Sequence, residues 1–297
     1  MMDLHALRQF RVVARLEHLS RAAEELHVAQ PSLSRTIARL EGELGAPLFD
    51  RAGRLRLNDA GRAFLRHVER ALGELEAGRR AVAEVAEHGA GTVRLASETF
   101  LTLTAPLAAF KEAHPAVEVT LHQMPAERMA RALRAREVDL CVASQPVPAE
   151  GLEAVRLLDE PVWVVTPLGH PLAGRASVSV PELAGEPFVS TRTGHWQRRL
   201  LDRLFAAEGL NAPRIVCEGD EPSATAILIA AGLGIGLIPD MARRSAARAP
   251  VAWIAVEAAA CRRVLTLLHR ADDRPGGAAR LMRATLTGWD WSSGPVV

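Results

Sequence analysis

The sequence predicts an all-α head at the N-terminus, a long connecting helix and an α/β body. Three observations lead to this fold class. Helical periodicity dominates up to about residue 90, short apolar runs alternate with helical stretches after Gly89-Ala90-Gly91, and a heptad stripe joins the two parts. Strands that alternate with helices indicate a parallel or mostly parallel sheet covered on both faces. The 297 residues suffice for about two domains at a usual size of roughly 100–200 residues each.

The composition is that of an ordinary globular protein. Hydrophobic residues make up 48% and charged residues 24%, and the formal net charge is +1, which excludes a purely electrostatic nucleic-acid coat but leaves room for a local basic face. Cys141, Cys217 and Cys261 are far apart and odd in number, so we expect neither a zinc site nor disulfides. The first residues lack a secretory pattern, and we interpret the uncharged run 222–239 as a buried helix and strand. We therefore expect a soluble cytoplasmic protein.

Residues 19–38 carry the pattern of a helix-turn-helix. Ser20 is a suitable N-cap for a short helix, and Pro31 suits the first turn of a second helix because its missing N–H costs nothing there. The second helix then shows one apolar stripe at helical spacing, formed by Leu33, Ile37, Leu40 and Leu44. Two short helices joined by a tight turn are typical of this DNA-binding motif.

The face opposite that stripe is suited to the major groove of DNA. It combines small residues with Arg35, which can bind guanine bidentately, and with Ser32 and Ser34, whose hydroxyls can reach phosphates or base edges. By composition alone, an ordinary solvated face explains this helix equally well. The following segment favours DNA, because Arg51 and Arg54 surround a glycine turn between apolar residues, as in the basic hairpin of a wing.

The connecting helix carries a second pattern. Its apolar residues are spaced alternately by four and three, which is the rhythm of a coiled-coil seam. The members of this seam are Phe64, Val68, Ala71, Leu75, Gly78, Val82 and Val85. The seam predicts dimerisation, and the alternative is a stripe that packs on the protein's own body.

The N-terminal residues resemble a known family. The pattern Ser20-Arg21-Ala22-Ala23, Gln30-Pro31-Ser32-Leu33-Ser34, Leu48-Phe49 and Ala60-Gly61 is similar to the winged helix of LysR-type transcriptional regulators over about the first 65 residues. The resemblance implies DNA contacts from the recognition helix at Gln30, Pro31, Ser34 and Arg35, and from the wing at Arg51 and Arg54. Ser20 and Ser32 complete the set of expected DNA-binding residues. The sequence departs from the family at Glu17-His18, Ala29 and Asn58, and its wing is one residue shorter than the commonest form.

The resemblance also implies a body like a periplasmic binding protein, with a small-molecule cleft between two α/β lobes. The expected domains are a winged helix-turn-helix over 1–58, a linker helix over 59–88 and an effector-binding domain over 91–297. Lobe I takes about 91–161 with 265–291, and lobe II about 162–264.

The candidate effector residues follow successive strands or precede helices, where free amides favour ligands. They are Ser97, Thr99, Gln123, Ser144, Thr191, Arg192 and Asp220. Arg192 favours a carboxylate ligand, whereas Asp220 with Glu221 favours an amine, and the sequence leaves both open.

The motifs of common enzymes are missing from the sequence. Neither a nucleophile elbow, a zinc-protease helix nor a Walker loop is present, and the glycines at 232–236 come after a helix and before a strand, which is the wrong order for a dinucleotide site. We therefore expect no enzyme, no cofactor and no metal. The predicted function is that of an effector-modulated transcriptional regulator, which binds operator DNA as a homodimer or tetramer and has RNA polymerase as a further candidate partner. The alternative is a small-molecule-binding protein whose head serves assembly.

Overall fold

A computed structural model describes residues 2–51, 54–86, 91–148, 150–219, 224–244, 249–271 and 277–291. The chain divides into two compact units, which are Met1–Ala86 with Arg134–Glu137, and Glu87–Leu133 with Val138–Val297. Within the described ranges, no helix has both the length and the apolar character needed to cross a bilayer.

The first unit contains four helices and a two-stranded hairpin in its described part. The elements are α1 (Leu4–Leu16), α2 (Leu19–Glu25), α3 (Gln30–Leu44), β1 (Phe49–Asp50), β2 (Arg56–Leu57) and α4 (Asp59–Ala86). Three of the four residues of the predicted apolar stripe of α3 are buried, with Leu33, Ile37 and Leu40 at most 2% exposed, whereas Leu44 at the end of the helix is 37% exposed. The three buried residues pack with Phe10 of α1 and Val68 of α4 into one core, so α3 is held by its inner face and its outer face stays exposed.

The cap of α2 differs from the prediction. Helix α2 begins at Leu19, and His18 is its N-cap, with its Nδ1 atom accepting a hydrogen bond from the backbone N–H of Arg21. The reason lies in Glu17, which ends α1 in the left-handed conformation at φ 46° and leads directly into the extended backbone of His18. Ser20 therefore lies inside the helix, with its side chain exposed.

The second unit is an α/β domain. Its strands are β3 (Thr92–Ser97), β4 (Glu118–Gln123), β5 (Leu140–Ala143), β6 (Leu152–Pro167), β7 (Ser177–Val178), β8 (Pro187–Thr191), β9 (Arg214–Gly219), β10 (Gly236–Pro239), β11 (Val251–Val256) and β12 (Arg262–Arg270). The accompanying helices are α5 (Thr104–Ala113), α6 (Ala126–Arg134), α7 (Trp196–Ala207), α8 (Thr225–Ala230) and α9 (Gly277–Gly288). Helix α8 and strand β10 confirm the predicted helix and strand in the uncharged run.

The main sheet is mixed, so the expectation of a mostly parallel sheet is wrong. Its strand order is β4-β3-β5-β12-β6-β11-β7, and β10 also pairs with β6. The β4-β3-β5 part is parallel, whereas β12 is antiparallel to both of its neighbours, and β6 is antiparallel to β10 and β11. The cause is β6, whose first part pairs with β12 and whose last part pairs with β10 and β11.

Strands β6 and β12 thus connect two lobes. The first lobe has β3, β4 and β5 with a core that includes Phe110 and Met282, and the second lobe has β7 to β11 with a core around Phe188. Gly234 allows β10 to approach β8 closely, because it has φ 157° and a Cβ there would lie 2.4 Å from the carbonyl oxygen of Pro187. The hydrogen bond from Gln145, after β5, to the carbonyl oxygen of Gly194, after β8, places the ends of these two strands close together.

Candidate nucleic-acid interface and ligand cleft

The outer face of α3 presents the residues predicted to contact DNA. Gln30, Pro31, Ser32 and Arg35 are exposed, and Ser34 is half-buried. Arg35 lies over the first turn of the helix, where its Nε atom donates to the carbonyl oxygen of Pro31 at 3.3 Å. Ala29 precedes the helix and makes no side-chain cap, so the amides of this first turn lack a side-chain acceptor. A helix terminus of this kind, with its positive end of the dipole, is suited to a phosphate group.

Two glutamates attach the hairpin to the helices. The Oε1 atom of Glu41 on α3 accepts from the backbone N–H groups of Leu48 and Phe49 at 2.8 and 3.3 Å. Glu17 accepts from the backbone N–H of Leu57 at 2.9 Å. The sequence departure at Glu17 therefore has a structural role, because this side chain fixes the second strand of the wing.

The two predicted wing arginines lie in different environments. The guanidinium of Arg51 pairs with the Oε2 atom of Glu41 at 2.6 Å, so its charge is partly compensated within the head. The side chain of Arg54 is exposed at the start of the second half of the wing, and residues 52–53 lie outside the described residues. Of the two, Arg54 is better placed to reach an external phosphate.

The predicted seam on α4 divides into two parts. Phe64 is half-buried and Val68 is 2% exposed, and both belong to the core of the head. These two residues pack within their own chain, as the alternative interpretation of the stripe predicts, and their role in dimerisation stays a prediction. Ala71, Gly78, Leu75 and Val82 are exposed, the last two at 47% and 72%. The side chain of Val85 lies outside the described residues.

In the body, the polar residues after β3, β4 and β5 converge on a residue that the sequence analysis missed. This residue is Glu98, which is 1% exposed. Its Oε2 atom accepts from the backbone N–H of Ser144 at 2.7 Å, and its carbonyl oxygen accepts from the Nε2 atom of Gln123 at 3.3 Å. Ser97 and Thr99 flank it, and the Ser97 hydroxyl donates to the carbonyl oxygen of Thr99 at 2.8 Å. The predicted members from the first lobe thus lie together in one polar cluster around Glu98.

The second lobe contributes the segment that leads from β8 into α7. The side chain of Gln145, in the first lobe, donates from Nε2 to Glu98 Oε1 at 2.7 Å and to the carbonyl oxygen of Gly194 at 3.1 Å. Thr191 is 1% exposed, and its hydroxyl is buried without a partner among the described residues. Arg192 is exposed. Asp220, with Glu221, lies outside the described residues.

A buried ion pair lies where the crossing strands meet. Arg263 of β12 is opposite Glu160 of β6, and its Nε atom donates to Glu160 Oε1 at 2.7 Å. Glu160 also accepts from the backbone N–H of Met241 at 2.7 Å. Burial lowers the pKa of Arg263, and the adjacent Glu160 carboxylate opposes this shift. The guanidinium lies 5.3 Å from the ring centroid of Trp196, so the pair connects the crossing strands to α7.

Burial raises the pKa values of three titratable groups among the described residues of the body. Burial raises the pKa of the Cys141 thiol and raises that of Cys261 to about 12, so both thiols stay protonated at neutral pH. Burial also raises the pKa of Glu98, although the hydrogen bonds from Ser144 and Gln145 oppose the shift. Over the described part of the chain, no group of three His, Cys, Asp or Glu side chains has the geometry of a metal site.

A missed residue could have been found from one local signal. Glu98 lies between Ser97 and Thr99, which are candidate ligand residues because they follow a strand. Burying a carboxylate at the end of a strand costs free energy unless the group is hydrogen-bonded or paired with a charge. Gln145 similarly follows Ser144. The contact of Arg263 with Glu160 gives no such signal, because the partners are separated by about a hundred residues.

Comparisons with known proteins cover both parts of the chain. A family described as "Bacterial regulatory helix-turn-helix protein, lysR family" matches residues 4–62, and one described as "LysR substrate binding domain" matches residues 86–290. The chain is 34% identical to the uncharacterized HTH-type transcriptional regulator YybE of Bacillus subtilis, over 89% of this chain and 91% of that protein. It is 33% identical to the transcriptional dual regulator GltC of the same species, over 80% of this chain and 81% of that protein.

A similar structure has also been solved for a relative bound to DNA. Full-length CbnR, complexed with its target DNA, superimposes with a TM-score of 0.64 at 21% sequence identity, over 96% of this chain and 100% of that one. At this level of identity the similarity supports the shared fold.

Proposed function

The chain belongs to the LysR family of bacterial transcriptional regulators, and we propose that it reads its operator with the outer face of α3 and the wing. It is a DNA-binding regulator with a ligand-binding body, and it is not an enzyme. The observation that supports the residue assignment is the division of α3 into a buried stripe and an exposed face that carries Arg35. A helix held by its inner face can insert its outer face into the major groove.

Within this proposal, the predicted DNA residues have different tasks. Gln30, Pro31, Ser34 and Arg35 face the base edges, and Arg35 is the residue best suited to guanine. Ser20 and Ser32 contact the phosphate backbone. Arg54 binds phosphate next to the groove, and Arg51 does so once its ion pair with Glu41 has opened.

The ligand cleft couples to DNA binding through contacts between the lobes. Among the contacts of the described residues that join the lobes are the hydrogen bond from Gln145 to the carbonyl oxygen of Gly194 and the ion pair between Arg199 of α7 and Glu127 of α6. A ligand that binds beside these groups favours one arrangement of the lobes over another, which is the requirement for coupling. The proposed effector residues are Ser97, Thr99, Gln123, Ser144, Thr191, Arg192 and Asp220.

The proposed assembly is a homodimer or a dimer of dimers, formed in part by the exposed end of the α4 seam. Leu75 and Val82 are large apolar side chains that remain exposed on the chain, and they lie seven residues apart on one face of the helix. A dimer places two recognition helices on two half-sites of an operator. We infer that this regulator acts in the cytoplasm, and RNA polymerase remains a proposed partner at the promoter.

The decisive experiment measures binding of the purified full chain to DNA from upstream of its own gene. Fluorescence anisotropy over a range of salt concentrations, with a scrambled duplex as the competitor, separates sequence-selective binding from electrostatic binding. We expect the logarithm of the affinity to fall linearly with the logarithm of the salt concentration, with selectivity for the upstream DNA. Salt-sensitive binding without selectivity would contradict the proposed base contacts.

The residue assignment is tested with a matched pair of variants. Arg35→Ala should weaken specific binding by about 1–3 kcal/mol if the guanidinium reads a base edge. Arg203→Ala removes an exposed arginine of the body and should leave binding unchanged. An equal loss of affinity for specific and scrambled DNA would make Arg35 a phosphate contact. Unchanged binding by Arg35→Ala would favour the alternative in which the head serves assembly.

A further inference from the structure

The proposed effector site contains a buried carboxylate that accepts fewer hydrogen bonds than its oxygens allow. Glu98 is 1% exposed and accepts two hydrogen bonds through its side chain, from the backbone N–H of Ser144 and from the Nε2 atom of Gln145. An ionised carboxylate has about four acceptor sites. The basic side chains facing it are the imidazole of His195 at the start of α7 and the guanidinium of Arg263 of β12, and Arg263 already has Glu160 as its partner.

The neighbouring amide offers a second acceptor. Gln145 is 8% exposed, and its Oε1 atom is buried without a hydrogen-bond partner among the described residues. The orientation of the amide is fixed by its surroundings, because Nε2 donates to both Glu98 Oε1 and the carbonyl oxygen of Gly194. A flipped amide would point its oxygen at two acceptors. An unsatisfied buried acceptor costs about 1–3 kcal/mol, so Gln145 Oε1 is poised for an external donor.

The buried carboxylates around this pair of acceptors outnumber the buried guanidinium groups. Glu98 and Glu160 carry two formal negative charges when ionised, and Arg263 supplies one formal positive charge. Burial raises the pKa of Glu98, and a cation beside the carboxylate would favour its charged form. A ligand carboxylate at this point would meet like charge, whereas a cation would supply both the charge and the missing donors.

We propose that the ligand of this cleft carries a primary ammonium group, which donates hydrogen bonds to the carboxylate of Glu98 and to the side-chain oxygen of Gln145. This inference rests on the proposed effector cleft and narrows its ligand to a class. An ammonium group has three donors and one positive charge, which match two acceptors and one uncompensated negative charge. Gln145 also bonds to Gly194 of the other lobe, so the bound ammonium touches a side chain that joins the two lobes.

The test uses the full-length protein and size-matched probes. Thermal unfolding and calorimetry are followed with n-butylammonium, 1,4-diaminobutane and γ-aminobutyrate on one side, and with butyrate and succinate on the other, at millimolar concentrations. Wild type should bind at least one ammonium compound and neither plain carboxylate. In Glu98→Gln, which keeps the shape and loses the charge, binding should weaken by about tenfold or more.

A control variant and a proton measurement complete the experiment. Glu112→Gln removes an exposed carboxylate of α5 and should bind the ammonium compounds like wild type. Because a bound cation lowers the pKa of Glu98, binding at a pH close to the folded-state pKa should release protons, which calorimetry in two buffers of different ionisation enthalpy detects. Proton release should disappear in Glu98→Gln.

Three outcomes would overturn the inference: binding of carboxylates in place of ammonium compounds, ammonium binding that Glu98→Gln leaves unchanged, or no binding of any ammonium probe. These failures are separate from failure of the proposed function. If the protein binds its upstream DNA selectively and responds to a carboxylate, the proposed function is supported and the proposed ligand class is wrong. If ammonium compounds bind through Glu98 while DNA binding is unselective, the proposed ligand class is supported and the proposed sequence-specific DNA binding is wrong.

Discussion

The same substitution at two positions of α4 should have opposite consequences. Val68 is 2% exposed and packs in the core of the head, whereas Val82, fourteen residues further along the helix, is 72% exposed. Both residues belong to the heptad seam that the sequence presents. Replacing each by aspartate therefore distinguishes a residue that holds the head together from a residue that is available to a second chain.

The magnitude at Val68 follows from its burial. Removing the side chain forfeits about 1.5–3 kcal/mol of apolar burial. An aspartate in its place adds a carboxylate without a buried partner, which costs several kcal/mol more. A domain is stabilised by only about 5–15 kcal/mol in total, so Val68→Asp should unfold the head or leave it barely stable. At Val82, the effect on a single folded chain should stay within about 0.5 kcal/mol, because the side chain makes few contacts there.

The assay combines urea denaturation, followed by circular dichroism, with sedimentation velocity. We expect Val68→Asp to lose helical signal at low urea, and Val82→Asp to keep the wild-type midpoint while it sediments as a smaller species. Arg79→Asp, on an exposed position of the same helix, controls for added negative charge. A stable Val68→Asp variant would refute the head core described here. Unchanged sedimentation of Val82→Asp would place the subunit interface elsewhere.

Three further predictions concern the interior. Arg263→Met should lower the free energy of unfolding by about 3–5 kcal/mol in chemical denaturation, because it leaves Glu160 buried without its ionic partner. The double variant with Glu160→Met should recover part of this loss. Additive losses from the two substitutions would argue against the ion pair. Burial raises the pKa of Glu98, so protonation of this carboxyl stabilises the folded state. This stabilisation is fully present below the ordinary pKa of 4.5 and is lost as the pH rises through the folded-state pKa. Glu98→Gln should therefore gain stability relative to wild type as the pH is raised from 4.5 towards neutrality. A difference that stays flat with pH would contradict this. Gly61→Ala should destabilise the head by about 1–3 kcal/mol in thermal unfolding, because its Cβ would lie 2.1 Å from a backbone oxygen, whereas Gly42→Ala, whose Cβ meets open space, should be neutral or stabilising by up to about 1 kcal/mol. Equal effects of the two alanines would refute the contact at Gly61.

The spacing of apolar residues in the sequence was sufficient to predict the helices of the head. The spacing of Leu33, Ile37 and Leu40 predicts the buried face of α3, and the residues between them predict its exposed face, because one helix turn relates positions three and four apart. The same reasoning identifies the apolar seam of α4, and the uncharged run that becomes α8 and β10. In each case the signal is local, so the periodicity within a single element is enough to predict its apolar face.

The tertiary structure decided which partner each face meets. The seam of α4 looks uniform in sequence, yet Val68 faces the head and Val82 faces outward, because the head packs against only part of the helix. The pairing of β6 with strands of both lobes makes the sheet mixed, and strand spacing alone gives no sign of it. The cluster of Glu98 with Gln145 and Gly194 joins residues that lie far apart in the chain. Local periodicity specifies which side of an element avoids water, whereas contacts between distant residues arise only when the elements pack together.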